Sequence, residues 1–180
     1  MNSEVLDVDM LAFERGSSNT KQAVVDGVMK SLETGFVYTS HDMSQDFLDE
    51  VYGMLSEFFS KPSSEKETAK AEGTNGQRGY TGLLVETAAI SDVPDWKEML
   101  NWGKDIPKGH PLKKRYPHRF FNNVFPEDLV PGITGTLEKF HDVVLDLQLR
   151  FLRIIASGLK ASETFFDSFV PGGATLTRAI

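Results

Sequence analysis

Apolar residues spaced three and four apart mark the helices of this chain. Val24, Val25, Val28, Met29 and Leu32 keep a 3.6-residue period, with Gly16 to Asn19 as a polar break before them, Thr20 as an N-cap and Gly35 as the closing glycine. Phe47, Leu48, Val51, Leu55, Phe58 and Phe59 give a second helix, capped by Ser44 and stopped by Pro62. Ser64 to Glu67 has the form of a capping box and predicts a short exposed helix. The longest element runs from about Ile133 to Leu159, where Ile133, Leu137, Phe140, Val144, Leu147, Phe151 and Ile154 alternate spacings of four and three. Its extra apolar residues, Val143, Leu145, Leu149, Leu152 and Ile155, predict cover on several sides of its C-terminal half.

Strand signals are shorter. Val5, Leu6 and Val8 form one extended segment, and Phe36 to Thr39, β-branched and aromatic, another. After Gly172 and Gly173 the chain alternates Ala174, Leu176, Arg178 and Ile180 on one face with Thr175, Thr177 and Ala179 on the other. The sequence stops inside this strand, so either its partner precedes it or the folding unit continues beyond residue 180. Residues 72–82, with four glycines, read as a loop, and the mixed periodicity of Leu83 to Gly103 gives no division into elements.

The length, 180 residues, suits one domain, and with no cysteine the chain forms no disulfide or thiolate metal site. No segment approaches the roughly 20 apolar residues of a membrane span, which predicts a soluble, cytoplasmic protein. The net charge of −7 argues against nucleic acid as a partner. Charge is uneven. A basic run, Lys104, Lys108, Lys113, Lys114, Arg115 and Arg119, lies among Pro107, Pro111 and Pro117, which prevent a continuous helix. It reads as a solvated loop or as an attractor for an anionic substrate.

Neither a nucleophile elbow nor a phosphate-loop fingerprint is present, and His41, His110, His118 and His141 form no metal-binding spacing with neighbouring carboxylates. From composition and spacing alone this is a soluble α+β protein without a visible active site.

A series of short motifs changes that picture. Leu6-Asp7-Val8-Asp9, Gly35-Phe36-Val37-Tyr38 with the His41 turn, and Phe58-Phe59-Ser60-Lys61-Pro62 through Lys66 come first. Arg78-Gly79-Tyr80, Asp95-Trp96-Lys97-Glu98, Asn123-Val124-Phe125-Pro126 and Leu176 to Ile180 follow. In this order they resemble the N-terminal half of the isopenicillin N synthase-like iron(II)/2-oxoglutarate-dependent oxygenases. Asp42 stands where the family has glycine, and Phe125 where it has tryptophan. The resemblance implies the helical and strand portion of a double-stranded β-helix, a jelly roll, ending before the catalytic strands. Residues 1–130 would be the dioxygenase N-terminal segment, 131–160 a bracing helix and 174–180 the start of the jelly-roll core, all within one oxygenase domain. It further implies Fe(II) and 2-oxoglutarate as cofactors, molecular oxygen and a small-molecule substrate as partners, and iron ligands beyond residue 180. No residue of this chain is assigned as a catalytic group or metal ligand, and the sequence sets no oligomeric state.

Four residues are candidates for substrate binding. Arg178 heads them, because a guanidinium on an inward jelly-roll face requires an anion; the bland alternative is an arginine reaching to water from a strand end. Glu86, suited to a cationic or hydroxylated substrate, and Thr87 follow the Gly-Tyr segment and otherwise belong to an exposed loop. Trp102 is a pocket wall or plain core. Tyr80, Phe36, Phe58 and Phe59 are expected in packing, and His41 in a structural role. The implied function is oxidation of a small metabolite, by hydroxylation or desaturation, with 2-oxoglutarate converted to succinate. The rival is a naturally short, non-catalytic binding or oligomerisation module derived from the same fold.

Overall fold

Asp9 ends one element and starts the next. Its backbone is extended, and its carboxylate accepts hydrogen bonds from the Ala12 amide at 3.1 Å and from the Ser40 hydroxyl. The computed structural model describes residues 5–87, 90, 92–170 and 172–180. Its elements are β1 (Leu6–Val8), α1 (Met10–Arg15), α2 (Ser18–Ser31), β2 (Val37–Thr39), α3 (Gln45–Ser60) and α4 (Ser63–Lys66), followed by a 3-10 turn at Glu67–Ala69. Then come β3 (Gly79–Thr81), β4 (Met99–Trp102), α5 (Pro111–Arg115), α6 (Ile133–Gly158) and β5 (Thr177–Ala179).

The chain divides into two units, residues 1–44 with 143–173 and residues 45–142 with 174–180. In the first, β1 and β2 pair in parallel, Leu6 opposite Val37, and Val8, Met10, Phe13, Val24, Val25, Val28 and Ile154 form the core. Arg150 closes this unit electrostatically. Its guanidinium donates to both oxygens of Glu14 at 2.6 and 2.9 Å and to Asp42 at 2.8 Å. Asp42 thus supplies a partner that glycine at this position could not, and the arginine holds its carboxyl below the usual range.

In the second unit β3, β4 and β5 form an antiparallel sheet in that order, with Gly79 opposite Asn101 and Asn101 opposite Arg178. One face of the sheet packs Tyr80, Leu100 and Trp102 against Val51, Leu55, Phe58, Ile133 and Leu137. The long helix α6 contributes residues 133–142 to this unit and the rest to the other, over 26 residues or about 40 Å.

Several expectations change. A further helix, α1, precedes the break at Gly16, and α2 begins inside that break at Ser18, its cap being Ser17, whose hydroxyl accepts from the Thr20 amide at 3.3 Å. Helix α2 ends at Ser31 with Leu32 as its C-cap, so Gly35, at φ +76°, closes the following turn rather than the helix, its amide donating to the Ser31 carbonyl at 2.9 Å, and Phe36 is 70% exposed rather than packed. The short helix at 63–66 begins at Pro62 without a side-chain cap and is not wholly exposed, for Lys66 is buried. The glycine-rich stretch 72–82 contains the fully buried strand β3. The basic run is not all loop, because Pro111 suits the first turn of α5 and His110 accepts from the Leu112 amide. The terminal strand finds its partner earlier in the chain, in β4. In the C-terminal half of α6, Ile154 and Ala156 are buried, while Val143, Leu145, Leu149, Leu152 and Ile155 are only partly covered.

Gly79 is set by both conformation and space. At φ +70° an added Cβ would lie 2.4 Å from the Ala69 carbonyl oxygen and 2.8 Å from the Ala71 nitrogen. Gly79→Ala is therefore expected to lower unfolding free energy by about 2–4 kcal/mol in urea titrations. Gly53→Ala, inside α3 with nothing within 4 Å of the new methyl, is expected to raise it by about 0.5–1 kcal/mol.

Candidate functional site

The sheet face turned away from the core of the second unit borders a cavity of about 490 Å³. Thr81 from β3, Met99 from β4 and Arg178 from β5 line it, and Tyr80, whose ring packs in the core, also borders it, whereas Leu100 lies wholly in the core. Glu86 and Thr87 line it from the segment after β3. That segment is organised by backbone pairing. The Asp95 amide donates to the Glu86 carbonyl at 2.8 Å, the Leu84 amide donates to the Asp95 carbonyl at 3.1 Å, and Thr87 bridges to Pro94.

Three of the four residues expected to bind substrate therefore share one cavity. Arg178 donates through Nε to Asn101 Oδ1 at 3.0 Å, and its Nη1 stands 4.0 Å from Glu86. Glu86 is paired more closely with Lys97, at 2.7 Å, which also holds Asp95 at 2.7 Å; the two carboxylates keep the ammonium pKa above its ordinary value. Trp102 stands apart. It is buried in the core, and its indole donates to the Leu137 carbonyl at 2.9 Å, tying β4 to α6. It is not among the residues lining the cavity.

Asn101 escaped the sequence reading. It is fully buried between apolar neighbours, with Nδ2 donating to the Gly76 carbonyl at 2.6 Å and Oδ1 accepting from Arg178. The signal was available in principle: a polar residue inside the run Met99-Leu100-Asn101-Trp102 must be partnered when the run is a buried strand.

A second polar group lies behind the sheet. Lys66 donates to the Phe59 carbonyl at 2.9 Å and pairs with Glu98 at 2.7 Å, and the Tyr80 hydroxyl donates to the same carboxylate at 2.6 Å. Burial, reinforced by Glu98, pushes the Tyr80 phenol pKa well up, so it stays a donor. His141, on α6, bonds Thr177 through Nδ1 at 2.7 Å and Thr175 through Nε2 at 2.9 Å, one nitrogen donating and the other accepting.

The donor set does not fit a metal. Among the described residues no group of three or more His, Cys, Asp or Glu side chains stands ready to hold an ion. His141 is engaged by its two threonines, His110 caps α5, and His41 borders a separate apolar cavity of about 480 Å³ in the first unit with Met10, Val37, Leu147 and Phe151. Among the described residues no helix is long and apolar enough to cross a membrane.

Residues 5–128 match the family model described as "non-haem dioxygenase in morphine synthesis N-terminal", and the chain belongs to that family. It is similar to Azadirone synthase LFS of Melia azedarach, 31% identical over 75% of this chain and 40% of that protein. It is likewise similar to the 2-oxoglutarate-dependent dioxygenase caaD of Aspergillus niger, 25% identical over 98% of this chain and 55% of that protein. Among solved structures, a Caulobacter crescentus protein assigned to the 2OG-Fe(II) oxygenase family superposes with a TM-score of 0.81 at 26% identity, covering 98% of this chain and 55% of that one. A full-length Neurospora crassa protein solved in complex with alpha-KG gives 0.78 at 26% identity, covering 99% and 55%. The chain spans about half the length of the curated relatives it matches. The fold is thus the N-terminal half of this oxygenase architecture.

His141 yields a test. Burial lowers its pKa from 6.5; Asp142 opposes this, and Arg78 and Lys104 reinforce it. The folded protein therefore takes up this proton less readily than the unfolded chain, and the contribution is complete above pH 6.5 and lost as pH falls below it. Urea midpoints measured between about pH 7.5 and 5.5 are expected to fall less in His141→Gln, whose amide keeps both threonines partnered without titrating there.

Proposed function

We propose that this chain is the N-terminal part of an iron(II)/2-oxoglutarate-dependent oxygenase of specialised metabolism, cytoplasmic and acting on a small metabolite by hydroxylation or desaturation. The observation that carries this reading is the family match across residues 5–128, joined to the superposition on two solved structures over nearly the whole of this chain. In such an enzyme iron and 2-oxoglutarate supply the oxidant, and the keto acid leaves as succinate and carbon dioxide. The metal would be held by residues outside this chain, and the 180 residues alone would be inactive.

This chain's own contribution is recognition. Arg178, its Nε held by Asn101, offers its paired Nη N–H groups to an anionic group, Glu86 accepts from a hydroxyl or ammonium on the substrate, and Thr87 adds a hydroxyl beside it. Trp102 serves from the core by fixing β4 on α6.

The full-length protein, supplied with ferrous iron, 2-oxoglutarate and a panel of small metabolites, is expected to release succinate only when oxygen is present. Arg178→Leu is expected to lower kcat/KM for an anionic substrate by about tenfold or more, as loss of a charge-assisted contact does. Failure to form succinate across the panel overturns the enzymatic reading and leaves the binding-module alternative.

A further inference from the structure

The cavity beside Arg178 contains a second device. A flexible arginine on a strand end ordinarily samples many rotamers, and ordering it on a ligand costs conformational entropy. Here that freedom is already restricted. Asn101 sits directly opposite Arg178 in the β4–β5 register, so the two side chains leave the sheet on the same face. Its Oδ1 takes the Arg178 Nε–H at 3.0 Å. Asn101 cannot readily turn away, because it is fully buried and its Nδ2 is bound at 2.6 Å to the Gly76 carbonyl, on the loop that also borders the cavity.

With Nε occupied, the paired Nη edge is what Arg178 has left to offer. Among the described residues its nearest carboxylate is Glu86 at 4.0 Å, beyond hydrogen-bond distance and held by Lys97 at 2.7 Å. Lys70 pairs with Glu72 at 3.4 Å, and Glu67 is the remaining acid in the lining. We propose that Asn101 is a positioning residue, which orients the Arg178 guanidinium so that its Nη edge receives a planar, two-oxygen anion, a carboxylate, in this cavity. The proposal rests on the reading of the cavity as a ligand site, but not on turnover. The carboxylate can come from 2-oxoglutarate or from the substrate, and the measurements separate the two.

The full-length protein is titrated calorimetrically with 2-oxoglutarate, and then, with that saturating, with benzoate and its uncharged isostere benzamide. Benzoate or 2-oxoglutarate is expected to lose about tenfold in affinity in Arg178→Leu and about fivefold in Asn101→Leu, and the double variant to lose no more than Arg178→Leu alone. A coupled loss for 2-oxoglutarate assigns the carboxylate to the co-substrate; one confined to benzoate assigns it to the substrate. A purely structural role for Asn101 would add its loss in both backgrounds, and that additivity overturns the proposal. So does equal affinity for benzoate and benzamide together with unchanged 2-oxoglutarate binding in Arg178→Leu. Should Asn101→Leu not fold, Asn101→Asp keeps the shape and the acceptor for Nε but places a competing charge on the guanidinium. It is expected to weaken carboxylate binding at least fivefold or so, and wild-type affinity there overturns the proposal.

Discussion

The two-residue period of β4 governs the second unit. All four of its residues are buried, so both faces of the strand must be satisfied at once. Leu100 and Trp102 fill the core against α3 and α6, and Met99 and Asn101 turn the other way. A slip of one residue would put an amide into the hydrophobic cluster and a leucine against the Arg178 guanidinium, each at a desolvation or packing cost. The Trp102 bond to the Leu137 carbonyl and the Asn101 bond to the Gly76 carbonyl pin that register from opposite sides.

From this register follows the meaning of motifs that look unrelated along the chain. Lys66 ends the Phe-Phe-x-x-Pro segment, Tyr80 follows the Arg-Gly pair, and Glu98 closes the Asp-Trp-Lys-Glu segment, yet the three meet in one hydrogen-bonded group. A lysine buried to 5% exposure is tolerable because a carboxylate and a backbone carbonyl take its protons and the Tyr80 ring lies 5.7 Å away. The motifs that resemble the family thus include residues that support the sheet from behind.

How much was legible depended on the range of the interactions. Helices α2, α3 and α6 follow from local periodicity, and so does the facing of Thr175 and Thr177 away from Arg178, since strand alternation is a local rule. Strand β3 was hidden because Gly79 is chosen for its close approach to Ala69 and not for strand propensity. Strand β4 lacks alternation because both faces are covered, which removes the polar half of the signal. Of the cavity, Arg178, Glu86 and Thr87 were foreseeable from the family likeness, whereas the Asn101 contact spans 77 residues and exists only through sheet pairing.

Lys66 has a further consequence. Its ammonium is buried and bound by the Phe59 carbonyl and the Glu98 carboxylate, so its amine is shielded from small acylating reagents that would modify the exposed Lys70 quickly. Labelling at position 66 would then track the opening of the sheet's rear face, and the chain carries within itself an amine clock for the breathing of its own core.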